Sequence, residues 1–194
     1  MKYFASAIRL ACLAWAGLWA ASTDTALPAR PPAIRAKPPA QPVKVRIGWD
    51  YKGFAGSIGI HEVIGHPRLW DTRCAATLKA TPVGAPIDSG ILTLRPGQAK
   101  RFALVYRNES DSIRYFFAAP HVIHPVEHSL GFKFKCLCIN HAFQADAGKY
   151  WYRIVEFRLS KAYVGDGMTV THTVLGLEAA QAEAFLKDPG AAEM

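Results

Sequence analysis

The sequence between residues 91 and 176 consists of short apolar or alternating segments, each of which ends at a turn sequence. Residues 91–94 (ILTL) are followed by residues 95–98 (RPGQ), and the alternating segment 102–107 is followed by residues 108–111 (NESD). Pro and Gly in series, and clusters of Asn, Asp and Ser, are typical of turns. Because the segments have a two-residue period and no helical period between them, they predict strands that stack as two sheets.

Three further segments extend this pattern toward the C-terminus. Residues 113–119 (IRYFFAA) are mostly apolar and end at Pro120. Residues 150–159 are rich in aromatic and branched side chains, and residues 168–175 (MTVTHTVL) have β-branched side chains at five of eight positions. Aromatic and β-branched residues favour strands. These segments are predicted to complete the two sheets.

One segment, residues 177–187 (LEAAQAEAFLK), has the spacing of a helix, and it ends at residues 188–190 (DPG). We therefore predict an all-β, immunoglobulin-like antiparallel β-sandwich over residues 45–176, followed by a short C-terminal helix and tail over residues 177–194. Hydrophobic residues make up 51% of the 194-residue chain, which excludes a disordered chain and provides enough apolar surface for one domain.

The N-terminal residues 1–26 have the order of an export segment. Residues 1–9 are basic, residues 10–21 (LACLAWAGLWAA) are apolar, and small residues follow. This order favours a cleaved signal peptide, and an uncleaved membrane anchor is the alternative, although a spanning helix requires ~20 apolar residues. Both alternatives place the body outside the cytoplasm, either free in the periplasm or anchored to the inner membrane. Cys12 is interpreted as apolar filler of this segment.

Residues 27–44 (LPARPPAIRAKPPAQPVK) predict an extended, semi-rigid linker, because six prolines alternate there with basic residues and no acid interrupts them. The linker contributes to a net charge of +8. We interpret this excess as that of a solvated linker close to an anionic membrane surface, and we expect no nucleic-acid partner.

The acidic residues and the cysteines limit the classes of chemistry further. The chain has 15 acidic residues, and none forms a close pair in a polar setting, so a hydrolase that uses two carboxylates has no support. Its four cysteines, at positions 12, 74, 136 and 138, are too few and too unevenly spaced for a disulfide scaffold.

Residues 131–141 (GFKFKCLCINH) carry the motif with the most chemical content, a C-x-C pair formed by Cys136 and Cys138. Phe and Lys alternate strictly in residues 132–135, which predicts a strand with one buried face, but the second face becomes apolar at Leu137. Either the strand continues into a doubly covered region, where the cysteines are buried and structural, or a bulge or turn near Cys136 presents them at the end of the sandwich.

The spacing of the two thiols suits a shared metal better than a disulfide. Positions i and i+2 of a strand lie ~6.6–6.8 Å apart, at or beyond the usual reach of a disulfide. Two thiolates with few other ligands select Cu(I), whereas a structural zinc ion requires four ligands. Chemistry alone leaves metal binding, buried thiols and redox thiols open.

The seven histidines are weighed in the same way. His121, His124 and His128 are predicted to be solvated loop residues, since Pro120 and Pro125 disfavour a helix there. His141 follows Cys138 by three residues and is the better candidate for an auxiliary ligand. The remaining histidines have no identifiable partner: His61, His66 and His172.

Cys74 has two interpretations. As part of a strand it would share a small apolar face with Ala76 and Leu78, which favours a buried thiol that packs like alanine. The alternative makes it a third copper ligand or a redox partner of the C-x-C pair.

The C-x-C segment resembles the CtaG family of cytochrome c oxidase assembly proteins. Lys133, two residues and then residues 136–139 (CLCI) are similar to the family's lysine and C-F-C-F motif, with aliphatic in place of aromatic residues. Similar segments elsewhere cover most of residues 48–176. Residues 53–57 resemble the family's G-F-G-G-T segment, and residues 95–98 resemble its P-G-E turn. Residues 106–108 resemble its Y-x-x-N segment with one residue fewer, and residues 168–174 resemble its closing T-L-S-Y-T-F strand. The family's third cysteine is replaced by Trp49 or Asp50, and its M-P-V segment is replaced around residues 150–152.

The resemblance implies an exported, non-enzymatic copper chaperone with an immunoglobulin-like sandwich. It would bind Cu(I) through Cys136 and Cys138 and deliver it to the copper B centre of a heme-copper oxidase. Its partners would be a membrane oxidase subunit and a copper donor protein, and two protomers could form a copper-bridged homodimer. The alternatives are a sandwich that recognises a protein partner through a surface unrelated to its structural cysteines, and a thiol–disulfide exchange protein.

Overall fold

The structure, a computed structural model, describes residues 41–186. These residues form strands and one short α-helix, connected by loops and three short 3-10 turns. The strands are β1 Val43–Lys52, β2 Ile58–Val63, β3 Thr72–Ala75, β4 Val83–Pro86, β5 Ile91–Leu94, β6 Ala99–Arg107, β7 Arg114–Ala118, β8 Val122–His124, β9 Phe132–Lys135, β10 Phe143–Ala145, β11 Tyr150–Leu159 and β12 Gly167–Leu177, and the helix is α1 Ala179–Leu186.

The strands form two sheets, as the alternating segments predict. The first sheet has the order β10-β7-β12-β1-β5, with β8 also paired to β12, and the second has the order β3-β11-β6-β2-β4, with β9 also paired to β11. Apolar side chains of both sheets form one core, which includes Phe102 and Leu104 of β6, Phe157 of β11 and Val170 of β12. The prediction of an all-β sandwich is confirmed.

Strand β1 differs from the prediction in its start and in one of its pairings. It begins at Val43, two residues inside the predicted linker, because Val43, Val45 and Ile47 alternate inward and are buried. It pairs antiparallel with β5 but parallel with β12. Parallel neighbours need a long connection, and the whole intervening body supplies one between the first strand and the last.

The C-terminal helix is present and shorter than predicted within the described residues. Helix α1 packs on β7, where the rings of Phe117 and Phe185 lie 5.3 Å apart. The predicted export segment, residues 1–26, and residues 27–40 of the predicted linker lie outside the described residues. Within residues 41–186, no helix is long and apolar enough to cross a membrane.

In each sheet, one long strand pairs along one side with two short strands in succession instead of with one continuous strand. Along β12, β7 pairs with residues 174–177 and β8 with residues 169–171. Along β11, β3 pairs with residues 150–153 and β9 with residues 156–159. The loop that joins β7 to β8 leaves the first sheet at the level of His172, and the loop that joins β9 to β10 carries the C-x-C motif.

Candidate metal centre

Strand β9 ends at Lys135, and the chain then bends through the C-x-C motif. The strand is held against β11, where the rings of Phe132 and Phe157 stack 5.0 Å apart. Beyond it, the fully buried Leu137 anchors the bend, and the Ile139 amide donates to the Leu137 carbonyl at 2.8 Å. Of the two alternatives from the sequence, the structure therefore has the turn near Cys136 rather than a continued strand.

The bend brings the two thiols much closer than a strand would. The sulfur atoms of Cys136 and Cys138 lie 3.2 Å apart, and neither residue is in a disulfide. Cys136 is buried and Cys138 is half-buried. Two sulfurs bound tetrahedrally to one metal at ~2.3 Å lie about 3.8 Å apart, so a modest opening of the pair admits a shared ion.

The two thiols hold one proton between them. The hydrogen bond with Cys138 lowers the pKa of Cys136, against its burial, and the imidazoles of His121 and His172 act in the same direction. The same hydrogen bond and burial raise the pKa of Cys138. One sulfur is therefore a thiolate at neutral pH, and a metal ion that binds both sulfurs displaces a single proton.

His121 lies beside both sulfurs, which corrects the prediction that it is a solvated loop residue. Its Nδ1 is 3.6 Å from the sulfur of Cys138 and 4.0 Å from that of Cys136. The loop that carries it is held on both sides, because the Ala119 amide donates to the Thr173 carbonyl at 2.9 Å and the Ala119 carbonyl oxygen lies 3.4 Å from the sulfur of Cys138.

His172 supplies a second imidazole from the inward face of β12. It shares that face with Met168, Val170 and Val174 and is 0% exposed. The ring is near enough to Cys136 to lower the pKa of that thiol, but neither ring nitrogen has a hydrogen-bond partner of ordinary geometry among the described residues. A buried imidazole without partners is costly, and a metal ligand is one role that offsets the cost.

The four side chains form one cluster. One ligand atom from each of His121, Cys136, Cys138 and His172 lies within 4.8 Å of the others. The rings of Phe134 and Trp49 lie 5.4 Å and 5.3 Å from that of His172 and give the cluster an apolar surround. Two thiols and two imidazoles are a ligand set for soft or borderline metals, and these residues could hold such an ion.

The other histidines named from the sequence lie apart from this cluster. His141, the predicted auxiliary ligand, is outside it, since its side chain instead lines a cleft on the other side of the loop. The His121/His124/His128 group does not form a site of its own. His124 is exposed on β8, and the Nδ1 of His128 is 2.8 Å from the hydroxyl of Tyr163.

Cys74 is also outside the cluster. It lies on β3, half-buried, with its sulfur 3.4 Å from the Asp146 amide and 3.6 Å from the Gln144 carbonyl. Burial raises the pKa of its thiol. Cys74 packs against the main core, which agrees with the interpretation of a packed thiol. The predicted face shared with Ala76 and Leu78 is wrong, because β3 ends at Ala75, Ala76 is exposed and Leu78 packs against a different cluster.

Sequence reasoning missed both histidine members of the cluster. A local signal existed for His172, because the alternation of residues 168–175 places it on the same face as Met168, Val170 and Val174. A polar residue on such an apolar face is unusual and indicates a specific role. No local signal existed for His121, whose position depends on how β7 and β8 align along β12.

Comparison with known proteins gives a family but no characterised relative. No curated protein matches the chain. Residues 43–177 match the family described as Domain of unknown function (DUF8709), a range that runs from the first residue of β1 to the last residue of β12. The matched range contains the whole sandwich and all four residues of the cluster, and the chain belongs to this family.

Proposed function

We propose that the protein binds Cu(I) at Cys136 and Cys138, outside the cytoplasm, and delivers it to the copper B centre of a membrane heme-copper oxidase. The observation that carries the proposal is the thiol pair itself: two sulfurs 3.2 Å apart, with two imidazoles alongside. Thiolates select Cu(I) over harder ions. The CtaG resemblance supports the step beyond metal binding, which is delivery to the oxidase.

The unequal burial of the ligands supports release as well as binding. Cys136 and His172 are buried, whereas Cys138 and His121 are half-buried. An incoming thiolate or imidazole can replace the two half-buried ligands first while the buried pair still holds the ion. Such exchange needs no enzyme chemistry, only sites of comparable affinity in a copper donor protein and in the oxidase subunit.

The first test is an anaerobic titration of the full chain with Cu(I), read by competition with a coloured Cu(I) chelator. We expect one copper per chain, and we expect loss of that copper in the double variant Cys136→Ser, Cys138→Ser. Cys74→Ser is the matched control, because it removes a half-buried thiol outside the cluster. Copper binding that survives the double substitution would rule out the proposal and favour the protein-interaction alternative.

Delivery is tested in cells that lack the gene. We expect reduced heme-copper oxidase activity, restored by the wild-type chain and by Cys74→Ser but not by the double variant. Normal oxidase activity in the deletion, with copper binding intact in vitro, would separate binding from delivery and remove the second half of the proposal.

A resident zinc ion is the second candidate, because a set of four ligands from one chain is the set that a structural zinc site uses. The two candidates differ in the role of the histidines. Zinc binding should require all four side chains, so His121→Ala with His172→Ala should abolish it, whereas Cu(I) should remain bound by the two thiolates. The thiol–disulfide alternative is tested in the same samples by the rate at which the chain reduces a model disulfide.

A further inference from the structure

Arg153 is a charged side chain at a core-facing position of β11. It lies between Trp151 and Val155 on the same face of the strand, where both of those residues belong to the core, and it is 6% exposed. Its Nη1 donates to the Thr72 hydroxyl at 2.7 Å, but its Nε has no hydrogen-bond partner within residues 41–186. None of the ion pairs in that part of the chain includes it. Burial lowers the pKa of Arg153 and the negative charge of Cys136 acts to raise it, but the two side chains form no ion pair. A buried cation outside any ion pair, with an unpartnered N–H group, is costly, and a bound anion would offset that cost.

Arg153 lines a cleft of about 690 Å³ between the segment 68–73 and the loop that follows the C-x-C motif. Two other buried nitrogens on this cleft, Trp70 Nε1 and His141 Nδ1, also have no partner in the described chain. The buried side-chain nitrogens without partners in residues 41–186 are thus confined to this cleft and to His172. Two unpartnered N–H donors, on Trp70 and Arg153, and an imidazole that can also donate therefore lie on one cleft, and such donors suit an anion.

The charges around the cleft are mainly positive. Arg68 and Arg73 line it together with Arg153, and Asp71 is the acidic residue of the lining. The Asp71 carboxylate is paired with Arg73 at 2.8 Å and forms no ion pair with Arg153. Burial lowers the pKa of Arg153 to about 10, which leaves the guanidinium charged at neutral pH.

The walls of the cleft are partly apolar. Leu69, Ile139 and Phe143 line it, and the Arg153 guanidinium lies 5.3 Å from the centre of the Phe143 ring. Trp70 is held there in a left-handed conformation, with φ 65°, while its amide donates to the Ile154 carbonyl at 2.9 Å. Such a conformation is rare for a bulky residue and recurs at ligand sites.

We propose that this cleft binds a small organic carboxylate with an apolar body. Arg153 Nε and Trp70 Nε1 would donate to the carboxylate, His141 would donate when its proton is on Nδ1, and the apolar walls would cover the rest of the ligand. A single buried guanidinium and apolar walls suit a monoanion better than a doubly charged phosphate. The site does not depend on the proposed copper function, although one loop carries residues of both.

The test is calorimetric titration of the full chain with benzoate as the probe, and with benzamide and inorganic phosphate as comparisons. We expect one benzoate per chain, at least tenfold weaker binding of the neutral benzamide, and no heat of binding with phosphate. Absence of benzoate binding, equal affinity for benzamide, or tighter binding of phosphate than of benzoate would each overturn the proposal.

Variants locate the binding. Trp70→Phe keeps an aromatic side chain but removes one N–H donor to a charged ligand, so it should weaken benzoate binding roughly tenfold. Arg153→Gln should abolish benzoate binding. Arg158→Gln is the control, because Arg158 lies exposed on the same strand, paired with Glu156 and outside this cleft.

If Arg153→Gln fails to fold, as judged by circular dichroism, Trp70→Phe and the benzamide comparison decide the outcome. Unchanged benzoate affinity in folded Trp70→Phe and Arg153→Gln would refute the site. The double variant Cys136→Ser, Cys138→Ser should lose copper but still bind one benzoate per chain, so failure of the copper proposal and failure of this one are distinguishable.

Discussion

Each of the two long strands carries a polar residue at a position where its neighbours are core residues. His172 lies among apolar side chains on the inward face of β12, and Arg153 lies among apolar side chains on the inward face of β11. Both have polar atoms without partners in the described chain. Because buried polar atoms without partners lower stability, each of these residues is explained best by a ligand that supplies the missing partner. The proposed ligand is a metal ion at His172 and an anion at Arg153.

His172→Leu separates the structural cost of this imidazole from its ligand role. We expect the metal-free protein to gain about 1–2 kcal/mol of unfolding free energy, because two buried nitrogens without partners are replaced by apolar atoms. Urea unfolding in the presence of a chelator measures this. The stabilisation that added metal gives should at the same time shrink.

His124→Leu is the control for this substitution, since His124 is exposed on β8 and should leave both quantities unchanged. A metal-free His172→Leu protein that is less stable than the wild type would mean that the imidazole stabilises the core by itself.

The shared proton of the thiol pair predicts a maximum of stability with pH. Below the ordinary thiol pKa of about 8.5, the unfolded pair holds two protons and the folded pair one, so stability rises with pH as the lowered pKa of Cys136 dictates. Above it, the unfolded pair holds none while Cys138, whose pKa is raised, keeps its proton, so stability falls. Urea unfolding of the metal-free, reduced protein from pH 6 to pH 10 should therefore peak near that pH.

The contribution of the pair is the difference between the wild type and the double variant Cys136→Ser, Cys138→Ser, because the two proteins share every other ionisable group. A difference that does not change with pH would contradict the shared proton.

At the scale of elements, the sequence was most informative where the periodicity is local. Turn chemistry and alternation predicted β5, β11 and β12 with nearly their observed bounds, since each strand has one face in the core. β1 was missed at its start because the alternation from Val43 directly follows prolines. The position of His121 was not predictable, because it depends on the register of β7 and β8 along β12, which no local pattern encodes.

The β1–β2 connection lies directly against β12, and one glycine permits this contact. A Cβ at Gly176 would overlap the Gly53 carbonyl and lie 2.6 Å from its carbon. Because backbone atoms cannot rotate away, Gly176→Ala should destabilise the protein by about 1–3 kcal/mol, measured by thermal unfolding.

Gly48→Ala is the matched control for this clash, since the nearest atom there belongs to the Thr171 side chain, 3.2 Å away, which can adjust. Equal stability of the two variants would show that the connection moves freely and does not pack on β12.

At the scale of the whole molecule, the loops between the paired short strands bring residues that are distant in the sequence together. The cluster takes His121 and His172 from a loop and a strand of one sheet, and the two cysteines from the loop that crosses to this sheet from the other, between β9 and β10. The same loop then contributes Ile139 and His141 to the cleft. A ligand in the cleft and a metal in the cluster therefore contact the opposite ends of one short segment, residues 136–141.

The completeness of the cluster within one chain predicts the oligomeric state of the metal-loaded protein. Four ligand atoms within 4.8 Å of one another satisfy the coordination of one Cu(I) without a second chain. We therefore expect sedimentation velocity to show a monomer with one copper per chain. Removing both imidazoles, in His121→Ala with His172→Ala, leaves two thiolates and open positions on the metal, which should favour a copper-bridged dimer. A wild-type chain that dimerises on copper addition, at a stoichiometry unchanged by this double substitution, would mean that the thiolates bridge two protomers and that the histidines are not ligands.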